Sequence, residues 1–403
     1  MTGVRTAIVI GGGIAGAVTA MALQRAGITA TVFEAFGSPA DGVGGDLTIA
    51  PNGLDALSAL GAEKAVRAAG AATPRMIMQT HTGRRLAQFD CFPDLQVNLT
   101  LSRAALYRVL LDLAVSRGVE VKLGKRLSSV ERAGAGVRAR FADGSSTEAE
   151  ILVGADGIRS TVRSLIDQRA PRPVYTGLLG FGGVVERSDL PGTRGAQHLT
   201  FGKRAFFGYQ IDDGGEVRWF ANVPHAEPMT TEQARSTSDG DWLRRLRELY
   251  AEDTPAADIM GLAGEKSLVI AGPLEILPPV PHWYGEKMVL VGDAAHAPSA
   301  SSGQGASLAA ESAVQLAICL RDEPTAEQAF RAYEAIRRPR VTRIAANAAR
   351  SNNGKAAGPV GRALLGAAMP ILFKTVMTPE KMFGWIHRHH IDWDGSRGRL
   401  RSG

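Results

Sequence analysis

The chain has 403 residues, 45% of them hydrophobic, which is enough apolar material for a large core and more length than one ordinary domain uses. Its net charge of +6 is concentrated at the end: from Arg321 onward there are 15 Lys/Arg against 7 Asp/Glu, so the rest is near neutral and carries no basic stripe for nucleic acid. Two distant cysteines, Cys91 and Cys319, exclude a disulfide framework and a Cys-x-x-Cys metal or redox site, and a first strand beginning within a few residues of the N-terminus leads us to expect a cytoplasmic protein.

In chain order, residues 7–10 read as a short buried parallel strand, and Gly11, Gly13 and Gly16 then fit G-x-G-x-x-G at the opening of a helix that runs to about Arg25. Gly11 permits the tight turn, Gly13 lets backbone approach a pyrophosphate, and Gly16 lets helix and strand pack closely. The helix start, including Ile14 and Ala15, favours negative charge. Glu34 ends the next strand, residues 30–33, where an acid binds ribose hydroxyls; an acid there disfavours a 2′-phosphate, so FAD or NAD is expected at this site rather than NADP. Helices and parallel strands alternate to about residue 73 and again over about 102–166, the pattern of an α/β, doubly wound, Rossmann-like sheet. Residues 74–100 between them read as strands and connections.

A second apolar strand precedes Asp156-Gly157, in a segment that also carries Arg159, Ser160 and Arg163. From about residue 172 to 268 the character changes to antiparallel strands. Asp213-Gly214 is read as the hairpin turn between strands 206–211 and 217–223, with an interposed helix near residues 241–250. A third apolar strand, residues 288–291, runs into Gly292-Asp293 and then a Gly-rich bend, Gly303-Gln304-Gly305-Ala306, that opens another helix. The expected domains are a discontinuous nucleotide-binding domain (residues 1–73, 101–171 and 269–345), a β-sheet-rich substrate domain (74–100 and 172–268) and a C-terminal helical segment (346–403). The apolar run 363–373 is too short to span a bilayer, which takes roughly 18 residues or more.

With the three motifs in this order, the chain resembles the flavoprotein monooxygenases of the aromatic-hydroxylase class, single-component FAD enzymes related to para-hydroxybenzoate hydroxylase, over about residues 5–345. The stretch 44–61 resembles most the branch with tetracycline-inactivating and polyketide-tailoring members. The resemblance implies FAD as resident cofactor, NADH or NADPH as transient reductant, and molecular oxygen as co-substrate. It also implies hydroxylation of a bulky aromatic or polycyclic small molecule through a flavin C4a-hydroperoxide. It assigns Glu34 to the adenosine ribose, Arg103 at the head of a helix to the flavin nucleotide, Asp156 and Gly157 to the pyrophosphate region, and Asp293 to the ribityl chain. Gly303, Gln304 and Gly305 would line the flavin ring, and Asp46, after Gly44-Gly45, would lie close to it. Two departures concern fine tuning: relatives read Gly-Gln-Gly-x-Asn and then Glu-Asp where this chain has Ala306-Ser307 and Glu311-Ser312.

Only one G-x-G-x-x-G site is present, so the nicotinamide nucleotide is expected to visit a shared surface rather than a second nucleotide domain. No metal is required, and His387, His389 and His390 are read as a helix or tail surface. His296 is read as shaping its loop. His198, Tyr209, Arg218 and His225 lie in the substrate module; a general base among them is weighed against polar residues on a solvated sheet face. Phe206, Phe207, Trp219 and Phe220 are expected to divide between core and substrate pocket. A flavin halogenase would carry a Trp-x-Trp-x-x-Ile element, which is missing from the sequence. A flavin-linked dehydrogenase or reductase would not insert oxygen, and a non-catalytic flavin-binding regulator would carry an added interaction domain.

Overall fold

Residues 3–38, 45–355 and 378–395 are described in the computed structural model. The apolar strands near the N-terminus, residue 151 and residue 288 join one six-stranded sheet in the order Tyr284–Gly285, Met288–Leu290, Ile151–Gly154, Thr6–Ile10, Thr29–Phe33, Glu120–Lys122. All neighbours are parallel except the Tyr284–Gly285 edge. Strands covered on both faces need apolar residues at every position, and Ile8, Val9, Leu152, Val153 and Val289 are all buried. Helix Ile14–Arg25 is buried continuously from Gly16 to Leu23 and packs against both Arg103–Ser116 and Gly305–Asp322. An apolar surface all round suits a helix enclosed in this way.

The expected alternation over 102–166 is interrupted by an antiparallel meander, Leu127–Ala133, Gly136–Phe141 and Ser146–Ala149. Its outward face is held by cross-strand ion pairs, Arg138 with Glu131 and Glu148, so it lacks the apolar run that announces a buried strand.

The second large sheet has seven strands in the order Leu268–Ile276, Val174–Val185, Val217–Pro224, Phe206–Ile211, Ala196–Phe201, Arg75–Thr80, Arg85–Asp90. Pairings are antiparallel except that Ala196–Phe201 lies parallel to Arg75–Thr80, which draws the earlier segment into this sheet. One face carries Phe207, Tyr209, Trp219 and Ala221 and packs on helices Asp239–Tyr250 and Ala256–Leu262. The other face carries Arg218, which comes within 3.7 Å of Asp46 in strand Asp46–Ile49. The hairpin forms where expected, with one difference: Asp212 Oδ1 accepts from the amides of Gly214 and Glu216, and the left-handed residue is Gly215 at φ 85°. A three-stranded ribbon of Asp46–Ile49, Asn98–Ser102 and Ala71–Thr73 joins the layers.

Helix Ala326–Lys355 and the segment 378–395 brace the assembly. Trp393 lies under the guanidinium groups of Arg25 and Arg321, at 4.5 and 5.0 Å. Met382 and Phe383 pack with Met76, Met78 and Phe89 beside the seven-stranded sheet. Much of the C-terminal basic excess is consumed inside the molecule: Arg337 and Arg340 pair with Glu311, Arg338 with Glu334, and Arg388 with Asp94 and Glu380. Gly44 and the apolar run 363–373 lie outside the described residues. Among the described residues no helix is long and apolar enough to cross a membrane, and no group of three His, Cys, Asp or Glu is placed to hold a metal ion.

Candidate active site

Strand Ile151–Gly154 lies between Thr6–Ile10 and Met288–Leu290, all parallel, so the three motif loops leave the sheet side by side at its carboxyl edge. Backbone bonds lock that convergence: Gly11 N–H donates to Phe33 O (2.8 Å), Ala155 N–H to Ile10 O (2.8 Å) and Val291 N–H to Gly154 O (2.9 Å). In open α/β sheets this carboxyl edge is where ligands bind.

The glycines divide by what a side chain would meet. Gly11 has φ 99°, and a Cβ there would lie 2.5 Å from Ala155 O; at Gly16 it would lie 1.8 Å from Gly11 O. Those two are required by the packing. At Gly13, Gly303 and Gly305 a Cβ would meet nothing within 4 Å, so these backbones border open space. Gly13 is also the N-cap of helix Ile14–Arg25 without a side-chain cap, which leaves the first amides, including those of Ile14 and Ala15, free of a capping side chain. Glu34 stands at the end of its strand as expected, and its carboxylate accepts from Gly12 N (2.7 Å) and Phe36 N (3.0 Å). Each oxygen keeps a further lone pair for a ribose hydroxyl.

Asp156 has a defined local task. Its oxygens accept from Ser160 Oγ (2.5 Å), Thr161 N (2.7 Å) and Val162 N (3.1 Å), which caps helix Thr161–Ile166 and turns the chain at Gly157, φ 76°. Burial raises the Asp156 pKa against these bonds. The sequence reading gave Arg163 no role of its own, yet it ties two motifs together: buried, it donates to Ala294 O (3.1 Å) and Ile158 O (2.7 Å).

Asp293 differs from these. Burial raises its pKa, opposed by the charge of Arg103, and its carboxylate accepts no hydrogen bond from any described residue. That carboxylate is half-buried and keeps its acceptor positions open, and a polyhydroxylated chain would supply donors to it. Arg103 heads its helix as expected: Ser102 is the N-cap, accepting from Ala105 N (3.1 Å), and Arg103 N–H donates to Gly45 O (3.1 Å). Gly292, φ 58°, packs against Ala15, where a Cβ would come within 2.8 Å of the Ala15 methyl. Free helix amides, open-sided glycines and an unmatched carboxylate together fit an extended dinucleotide carrying a hydroxylated linker.

Gly303 at φ 59° turns the chain into helix Gly305–Asp322, with Gln304 as N-cap and Ala306 in the first turn. The departures noted in the sequence have structural partners. Ser307 Oγ accepts from Ala50 N (3.1 Å), and Glu311 is fully buried, bonded to Asn52 (2.6 Å), Arg337 (2.5 Å) and Arg340 (2.8 Å). His296 is buried, bonded through Nε2 to Ser312 Oγ (2.9 Å) and packed beside Trp283. Burial lowers its pKa to about 3.

On the sheet side, strand alternation separates the four candidates. Arg218, Gln197, Gln210 and Phe220 border a small crevice with Asp46 and Thr100, and Tyr209 and Trp219 also line it. Arg218 also pairs with Glu216 (3.0 Å), and burial raises the Asp46 pKa while Arg218 opposes it. His198 and Tyr209 stand opposite each other in register, on the face that also carries Phe207 and Trp219. There His198 Nδ1 meets Gln79 Oε1 (2.9 Å) and the Tyr209 hydroxyl (3.1 Å). His225 is at the strand end, its Nδ1 bonded to Glu227 O (2.7 Å). The aromatics divide less sharply: Phe207 and Trp219 are stacked in the core, and Trp219 and Phe220 both line the crevice.

A family model described as an FAD binding domain matches residues 4–348. The FAD-dependent urate hydroxylase of Klebsiella pneumoniae is 30% identical over 342 residues, 83% of this chain and 86% of that protein. The salicylate hydroxylase of Pseudomonas putida is 28% identical across 98% of this chain and 95% of its own. Among solved structures, Klebsiella pneumoniae HpxO complexed with FAD and uric acid superposes with a TM-score of 0.81 at 24% identity, covering 95% of this chain and 96% of that one. The tetracycline destructase Tet(51) has the same fold at a TM-score of 0.67 and 18% identity, over 93% of this chain and 98% of that one.

Proposed function

Because the chain belongs to the FAD-binding domain family and is an FAD-dependent monooxygenase, we propose that its carboxyl-edge crevice holds the dinucleotide along its length and that it hydroxylates an aromatic small molecule, bulky or polycyclic in kind. The observation that carries the reading is the half-buried Asp293 carboxylate, unmatched by any described residue, at the meeting point of three parallel strands. Urate and salicylate hydroxylases among the relatives support an aromatic substrate, and the tetracycline destructase fold supports a bulky one.

Bound FAD, reduced by NADH or NADPH, supplies the oxygen-activating chemistry. The protein's own residues do the rest. The uncapped amides behind Gly13 face the pyrophosphate, Glu34 takes the adenosine ribose, Asp293 accepts from the ribityl hydroxyls with Arg103 balancing its charge, and the backbone of Gly303, Gln304, Gly305 and Ala306 lines the ring. Asp156, Gly157 and Arg163 hold the loops in register. Arg218 and Asp46, from opposite layers, close the seam in which the substrate lies, with Phe220 and Gln210 as its wall; excluding water there protects the reactive oxygen from wasteful release. A cytoplasmic location belongs to the same reading, supported by the unpaired thiols Cys91 and Cys319.

The test is to measure NAD(P)H oxidation and oxygen uptake across candidate aromatics under isotopically labelled oxygen gas. The expected product is heavier by one labelled atom. Turnover that leaves no label in the product would contradict a monooxygenase and favour a dehydrogenase.

A further inference from the structure

Behind the proposed ring site runs a buried polar chain that crosses from one helix to another. Asn52 Nδ2 lies 2.6 Å from Glu311 Oε1 and 3.0 Å from Gln304 Oε1. Asn52, Gln304 and Glu311 are all buried. Glu311 is held by two guanidinium groups, Arg337 at 2.5 Å and Arg340 at 2.8 Å, and Arg340 also donates to the carbonyls of Trp385 and Ile386 in the C-terminal segment. A carboxylate so paired is ionised and can only accept. Asn52 must therefore turn its NH2 group toward it, and the second hydrogen of that NH2 reaches Gln304. Gln304 in turn must offer its carbonyl oxygen to Asn52, which leaves its own NH2 on the other side, without a partner among the described residues. The cost of this arrangement is visible: Asn52 Oδ1 is buried without a partner. The opposite flip would set that oxygen against Glu311, so the carboxylate charge decides the orientation.

We propose that Glu311 and Asn52 are positioning residues that fix the amide polarity of Gln304, so that a hydrogen-bond donor and not an acceptor is presented to the edge of the flavin ring. The inference rests on the placement of Gly303, Gln304 and Gly305 at that ring. A donor there stabilises the electron-rich reduced ring more than the oxidised one, so the chain acts on the balance between the two redox forms.

The experiment is a double-mutant cycle on the midpoint potential of protein-bound FAD, measured by spectroelectrochemistry in wild type, Asn52→Ala, Gln304→Ala and the double variant. Asn52→Ala is expected to weaken binding of reduced relative to oxidised FAD by about tenfold, a fall of about 30 mV for a two-electron couple. Gln304→Ala should do the same, and the double variant should fall no further, because both lesions break one chain. A cavity effect alone would change melting temperature and bind both redox forms more weakly, leaving the potential unmoved. Asn52→Leu, which keeps the volume, repeats the test if Asn52→Ala folds poorly. Glu311→Gln, which can donate and so permits the opposite flip, should shift the potential in the same direction. If Gln304→Ala lowers the potential while the Asn52 variants do not, or if the effects add, the relay is overturned and the ring site stands. If Gln304→Ala leaves the potential unchanged, the ring is elsewhere and the relay falls with it.

Discussion

Gly13 and Gly16 lie three residues apart, yet substitution should affect different properties. At Gly13 the backbone φ is −64° and a methyl would project into open space, so Gly13→Ala should fold with an unchanged melting temperature. It should nevertheless weaken FAD binding, because the methyl would stand where the proposed site puts the pyrophosphate. At Gly16 the same methyl would collide with Gly11 O, and Gly16→Ala should cost about 1–3 kcal/mol of stability through overpacking, read as a lower melting temperature of the protein without cofactor. Equal melting temperatures for the two variants would contradict this division. Asp293→Ala removes a half-buried acceptor that nothing else in the described chain satisfies. Losing a hydrogen bond to a charged group costs about 1.5–3 kcal/mol, so FAD affinity should drop on the order of tenfold to a hundredfold by fluorescence titration. Full FAD occupancy in that variant would place the ribityl chain elsewhere.

At the scale of single elements, strand phase decides what a side chain can do. His198, Tyr209 and Arg218 sit on neighbouring strands, but of the three only Arg218 pairs with Asp46. Arg218→Gln should therefore raise KM for the aromatic substrate and leave FAD affinity within about twofold, whereas a comparable loss of FAD affinity would move Arg218 into the cofactor site. Phase was not legible in the sequence because both faces of these strands are apolar: Phe207 and Trp219 fill one side, Phe206 and Phe220 the other. The hairpin shows the same limit on a smaller scale. Asp-Gly correctly marks the turn, but Asp212 bonds forward to two amides and shifts the left-handed position to Gly215.

The C-terminal segment carries its own pH dependence. Burial, reinforced by Arg340, lowers the His387 pKa from 6.5 to about 4, and burial also lowers that of His389 to about 4. Between pH about 4 and 6.5 the unfolded segment binds more protons than the folded one, so stability rises with pH across that window and is lost as pH falls through it. Melting temperature should fall from pH 7 to pH 5, and His387→Phe should flatten the slope, since the ring packs against Phe383 and Phe92. A slope unaltered in His387→Phe would assign the acid sensitivity to other groups.

Across the whole molecule, what was legible in the sequence was local. Gly11, Gly13, Glu34, Gly292 and Asp293 each lie at a turn, helix start or strand end that the sequence announces within a few residues, and Gly11 and Gly16 are tight where a tight turn and close packing were expected. What was not legible depends on contacts between distant segments. Nothing near Asn52 indicates Glu311, 259 residues away in sequence. Nothing near Arg75 indicates that its strand runs parallel to Ala196–Phe201, or that Met382 and Phe383 return to lie beside it. Asp156 was legible as a motif, while its work as a helix cap, with Arg163 spanning to Ala294, emerges only when the strands are side by side.

The central claim is that three loops at one sheet edge hold a single extended flavin dinucleotide. The most direct measurement is a crystal structure of the protein soaked or purified with FAD. The account predicts the adenosine ribose at Glu34, the pyrophosphate over the amides behind Gly13, ribityl hydroxyls donating to Asp293, and the ring against Gly303, Gln304 and Gly305. FAD bound away from that edge, or bound there with Asp293 still making no contact to it, would contradict the account.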